Sequence, residues 1–139
     1  MQKTLKSDVV FIGTGLHTGT DVKLCVRPAS AETGIWFRRT DVAAGKDFIC
    51  ANWQFSVRTE LCTRLENEDG VSVSTVEHVM AALAGCGINN AIIELNGPEL
   101  PIMDGSALEF VSGFLRAGFV NQTAPVRVLE ILEKVEVDE

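Results

Sequence analysis

Short period-2 apolar runs, broken twice by stripes at helical spacing, constrain this chain more than any other feature. Val22, Leu24 and Val26 alternate with Lys23, Cys25 and Arg27, the pattern of a strand with one buried face, and Pro28 ends it. Residues 3–12 read as an earlier strand that stops at Gly13-Thr14-Gly15, and Ile35-Trp36-Phe37 as a short one entered through Gly34. Residues 41–60 read as irregular. Leu61–Leu65 and Val71–Val73 read as strands joined by an Asn67–Gly70 turn, and Ala91–Leu95 as a later one. The first helical stripe is Val76, Val79, Met80 and Leu83; Ser74 stands as N-cap with Glu77 three residues on, and Gly85 and Gly87 close the helix. The second runs through Leu108, Val111, Phe114 and Leu115, opening at Ser106 and ending at Gly118. Strands with two helices between them predict a two-layer α+β sandwich.

The chain is 139 residues long, and 46% of them are apolar, enough for one core. We divide it into a domain over 1–121, a linker over 122–125, and a strand over 126–139 that opens a second domain otherwise absent. The formal charge of −7 and scattered basic residues, with Arg38–Arg39 the only tight pair, argue against nonspecific nucleic-acid binding. No stretch is long enough to span a bilayer, and the polar first residues break a signal-peptide pattern, so a cytoplasmic protein is expected. Cys25, Cys50, Cys62 and Cys86 lack Cys-x-x-Cys spacing and read as reduced thiols.

The chemistry concentrates at the first helix. At about 100° per residue, His78 falls near 200° from Val76 and points away from the anchoring stripe, toward Ala81, Ala82 and Gly85. Two readings of Glu77-His78 stand on spacing alone. In one, Glu77 completes a capping box and His78 is an ordinary surface histidine. In the other, His78 is a zinc ligand and Glu77 a base that deprotonates water without binding the metal.

Ser74-Thr75-Val76-Glu77-His78, Gly15-Leu16-His17-Thr18-Gly19 and Pro101-Ile102-Met103-Asp104-Gly105-Ser106 occur together, with Arg38–Asp41, Leu61-Cys62-Thr63 and Asn89-Asn90 between them. In order and spacing, over nearly the whole chain, they resemble the UDP-3-O-acyl-N-acetylglucosamine deacetylases, zinc enzymes of lipid A biosynthesis. The resemblance implies two similar α+β domains with the active site between them. It implies Glu77 as general base and His78 as a zinc ligand, with hydrolysis of the acetamide of a UDP-linked acylated glucosamine. It places Leu61 and Cys62 beside the metal. His17 is a candidate substrate contact, in a turn that brings backbone N–H groups toward the diphosphate. Asp104 either orients the site or serves helix entry.

One departure is large. The family's remaining zinc ligands sit in a His-Lys-x-x-x-Asp type motif of the second domain, and this sequence has none; His17 is its only other histidine. The Zn²⁺ site is therefore expected to be incomplete and the isolated chain inactive. Two rival readings remain: a non-catalytic binding domain that kept the fold, or another metal enzyme that completes its site across subunits.

Overall fold

A computed structural model describes residues 1–137. The alternating Val22–Val26 run forms β3 (Asp21–Pro28), the second strand of a five-stranded sheet with β2 (Val9–Thr14), β4 (Ile35–Arg39), β5 (Phe48–Cys50) and β9 (Ala91–Leu95). The spatial order is β2-β3-β9-β4-β5, antiparallel except for the parallel β4–β9 pair. That parallel pair follows from the connection: the helix α1 (Glu77–Cys86) precedes β9 and covers one face of the sheet together with α2 (Leu108–Ala117). A three-stranded sheet of β6 (Ser56–Val57), β7 (Arg64–Glu66) and β8 (Ser72–Ser74), and a β1 (Lys3–Leu5) to β10 (Phe119–Asn121) pair, complete the expected α+β sandwich.

The core lies between the large sheet and the helices. Leu24, Val26, Phe37, Ile93 and Leu95 point inward from the strands, and Val79, Leu83, Phe110 and Phe114 meet them from the helices. Phe11 of β2 stacks edge-on against Phe110 and Phe114, with ring centroids 4.9 and 6.0 Å away. Gly113 makes this approach possible: a Cβ there would lie 2.6 Å from the Phe11 ring.

Several boundaries differ from the sequence reading. The expected strand over 3–12 breaks at Lys6-Ser7-Asp8, because β1 leaves the large sheet to pair with β10. The region 41–60, read as irregular, contains β5, a 3₁₀ turn at Trp53–Phe55 and β6. Ser74 does not cap the first helix. It belongs to β8, and the helix begins at Glu77 after Val76, with no side-chain cap. Gly87 ends that helix in a left-handed conformation, while Gly85 stays within its last turn. Ser106 lies outside α2, yet its Oγ still accepts the Leu108 N–H at 3.0 Å.

The strand expected over 126–139 is not formed in the described part. Residues 126–137 carry no strand, and Val128, Leu129 and Leu132 are more than 80% exposed, since no neighbouring strand offers a ladder. Asp138 and Glu139, the last two residues of that expectation, lie outside the described residues. The linker is tied down. Gln122 N–H donates to Gln2 O and Gln2 N–H to Ala124 O, both at 2.8 Å. Buried Asn90 donates to the side chains of Gln2 and Gln122 at 2.8 and 2.7 Å and accepts the Gly34 N–H.

Arg38 and Arg39 alternate across β4, so the one tight basic pair is divided between two faces. Arg38 bridges Asp47 and Glu94 on the outer face. Arg39, nearly buried, takes both Asp41 oxygens at 2.8 and 2.7 Å. The Arg39 hydrogen bonds hold the Asp41 carboxyl below the ordinary carboxylate value, against partial burial. A depressed folded value stabilises the fold above the unfolded value of about 3.9, and that contribution is lost as pH falls through the lower folded value. Asp41→Asn should therefore lower the urea midpoint at neutral pH, with the gap to wild type closing in acid. Equal midpoints at neutral pH would remove Asp41 from the stability account.

Candidate active site

Glu77 and His78 open α1, and the segment before it decides where that helix starts. Thr75 sits between β8 and the helix at φ 59°, a left-handed conformation rarely adopted by a β-branched residue. The chain turns sharply there and presents Glu77 and His78 at the helix mouth. With Glu77 as the first helical residue, the capping box is absent. Its Oε2 instead accepts the Thr63 N–H at 3.1 Å. The competition between capping and chemistry for one carboxylate is thereby removed, and Glu77 is joined to the Leu61-Cys62-Thr63 loop.

His78 is half-buried and not part of the core. Ala81 and Gly85 are exposed along the same helix, while Ala82 is buried. So the small-residue surroundings are open only in part. Asp104 is exposed and follows Met103, which has φ 53°. Its Oδ1 accepts both the amide and the hydroxyl of Ser106, at 2.9 and 2.8 Å. Those bonds hold its carboxyl below the ordinary value, with a smaller contribution from the His78 imidazole. Through Ser106, whose Oγ takes the Leu108 N–H, Asp104 serves helix entry.

The Leu61-Cys62 pair is not the strand expected. Leu61 is 90% exposed at φ 62°, in a loop that reaches β7 only at Arg64. The loop is held by Thr59, whose hydroxyl donates to Cys62 O at 2.6 Å. A cleft of about 410 Å³ lies beside it, lined in part by Cys62, Thr59, His17, Thr18, Ser74 and Glu99. His17 and Cys62 therefore share one cleft.

The backbone role expected for the Gly15–Gly19 turn is already taken. His17 and Thr18 N–H groups donate to the carboxylate of Glu99, at 3.0 and 2.8 Å, so they are not open to a diphosphate. The His17 side chain remains exposed on the cleft. Glu99 itself escaped the sequence reading. Its loop, Asn96-Gly97-Pro98-Glu99-Leu100-Pro101, carries no periodicity, and a glutamate between two prolines reads as surface.

Among the described residues no group of three His, Cys, Asp or Glu side chains could hold a metal ion. A catalytic zinc ordinarily takes about three protein ligands. No group of that size stands among the described residues. Among the described residues no helix is long and apolar enough to cross a membrane.

The sequence profile of the UDP-3-O-acyl N-acetylglycosamine deacetylases matches residues 2–139. A UDP-3-O-acyl-N-acetylglucosamine deacetylase of Phenylobacterium zucineum is 50% identical over 136 residues, which are 98% of this chain and 46% of that protein. Those of Photobacterium profundum and Vibrio cholerae are 53% and 52% identical over 99% of this chain and 45% of their own length. The chain spans less than half the length of these curated relatives. Matched along nearly its whole length, the chain belongs to the UDP-3-O-acyl N-acetylglycosamine deacetylase family.

Proposed function

We propose that this chain supplies one half of a zinc-dependent amide hydrolase that removes acetyl from UDP-3-O-acyl-N-acetylglucosamine in lipid A biosynthesis. The observation that carries the reading is the pairing of Glu77 and His78 at an uncapped helix mouth, beside the Leu61–Thr63 loop. His78 is read as one metal ligand, with the others coming from a second domain that this sequence does not contain. When bound, the zinc would supply positive charge to polarise the amide carbonyl. Everything else proposed here belongs to the chain's own side chains.

Glu77 is read as the general base. The Thr63 N–H occupies one carboxylate oxygen, which fixes the group's direction and leaves the other oxygen to take a proton from the attacking water. Leu61 and Cys62 are read as one wall of the substrate site, and the His17 side chain as a contact to the polar end of the substrate. Asp104 is read as a charge that orients His78.

The second domain is read as packing on the helical layer. Leu108 and Leu115 are exposed there by 64% and 61%, and Ala81, Ala84 and Gly85 are exposed on α1. A cytoplasmic location belongs to the same reading, supported by four unpaired cysteines.

The test uses the purified 139-residue chain alone and the same chain joined to the second domain of a full-length relative. The chain alone is expected to show no turnover of the UDP-sugar and less than stoichiometric zinc by metal analysis. The joined protein should bind one zinc and hydrolyse the substrate. No hydrolysis by the joined, folded protein would overturn the reading. Stoichiometric zinc in the isolated chain would favour a site completed between copies.

A further inference from the structure

We propose that Glu99 is a positioning residue of this site: its buried carboxylate ties the Gly15–Gly19 turn to Thr75 and so fixes where α1 begins. The inference rests on the reading of Glu77 and His78 given above, since those are the groups it places.

Glu99 is 2% exposed. Its Oε1 accepts the His17 N–H and the Thr75 hydroxyl, both at 3.0 Å, and its Oε2 accepts the Thr18 N–H at 2.8 Å and the His17 N–H at 3.2 Å. Buried carboxylates are ordinarily paired with a cation; here N–H and O–H dipoles from two separate segments do that work. Burial pushes the carboxyl up, but the His17 and Thr18 amides and the two threonine hydroxyls outweigh it, and it stays ionised below the ordinary glutamate value. With its lone pairs committed in this way, Glu99 is not available as a base or a ligand. Its function is geometric.

Two further observations point the same way. The main chain around Glu99 is bound to the same strand end: Ser74 N–H donates to Pro98 O at 2.9 Å, and Leu100 N–H to Ser74 O at 3.1 Å. Gly15 leaves the space the carboxylate fills, because a Cβ there would lie 2.5 Å from Oε2.

Thr75 is what this clamp holds. It is 3% exposed and strained at φ 59°. Relaxation to negative φ would redirect the chain leaving β8. Val76 N–H, now 3.4 Å from Thr63 O, would move, and so would Glu77, which holds the Thr63 amide. Glu99 therefore acts on the base through Thr75 and Val76. The turn that carries His17 is held by the same carboxylate, so both walls of the cleft take their place from it.

Amide NMR and hydrogen exchange on the 139-residue chain test this. In Glu99→Gln the side-chain NH₂ opposes the N–H donors. Exchange at His17 and Thr18 should accelerate by about tenfold or more. The Val76, Glu77 and His78 amide resonances should shift, while exchange at Phe37 and Ile93 stays slow. Glycine takes the left-handed conformation without help. Thr75→Gly should therefore return the Val76–His78 resonances toward wild type in the Glu99→Gln background, which a purely stabilising role would not produce. Unchanged resonances at 76–78 in Glu99→Gln, or no rescue with the core intact, would overturn the proposal.

A wild-type titration needs no variant and covers the case in which Glu99→Gln does not fold. His17, Thr18 and Val76 amides should share one acidic midpoint, below that of an exposed glutamate; separate midpoints would also overturn it. Turnover by the wild-type chain joined to a second domain judges the hydrolase reading separately, and its absence would leave the amide result standing.

Discussion

Replacing Glu77 by glutamine, in the protein that carries the second domain, should cut turnover of the UDP-sugar by roughly 10²–10⁴-fold, the usual contribution of a positioned general base. Glutamine keeps the size of the side chain, and its carbonyl can still accept the Thr63 N–H that Glu77 now holds at 3.1 Å. Placement is conserved and only the proton acceptor is lost. The effect should therefore fall on kcat, with KM nearly unchanged. Steady-state kinetics with zinc content measured in parallel checks this. A loss below tenfold at full metal content would take the base role away from Glu77. A loss carried by KM alone would make it a substrate contact.

The second large effect is on stability. Phe114→Ala should destabilise the chain by about 3–5 kcal/mol, the cost of emptying a fully buried aromatic site. Phe114 has no exposed surface and meets Phe11 edge-on across the sheet–helix interface. Gly113 holds the helix so close to that ring that little room exists for the cavity to collapse. The loss is a large part of the roughly 5–15 kcal/mol that a domain ordinarily has. Leu115→Ala, one residue along and 61% exposed, should change stability by no more than about 0.5 kcal/mol in the isolated chain. Urea unfolding of the two variants separates them, and similar midpoints would contradict the core described here.

What was readable in the sequence tracks how each signal is encoded. Strand β3 was legible because its alternation is local: Val22, Leu24 and Val26 are buried while Lys23 and Cys25 between them are not. Helix α2 is legible as a helix, but its stripe is only half right: Phe114 is buried and Val111 packs on the core, while Leu108 and Leu115 are exposed and Phe110 faces inward instead. The N-cap of α1 is misplaced, at Ser74 instead of Val76, because Ser74 and Glu77 satisfy the capping-box pattern. That pattern does not report the ladder that draws Ser74 into β8, nor the left-handed Thr75 after it. Leu61 was read as strand because it is apolar; its exposure at a loop tip depends on Thr59 and on where β7 begins.

The site divides in the same way. Glu77, His78, His17 and Cys62 are picked out by motifs; the fold places the first two at the start of α1 and the last two on one cleft. Glu99 was not found. Its partners lie at residues 17, 18 and 75, and no periodic rule links a loop glutamate to amides so far back in the chain.

The hydrogen bonds between Gln2 and residues 122 and 124 have an architectural corollary. The polypeptide enters this unit and departs from it at a single doorway. A unit with such a doorway can be copied in tandem, each copy handing the chain to the next without a long strap crossing either one. It can also be cut out, or spliced into a surface loop of a host protein, without disturbing the sheet that closes it.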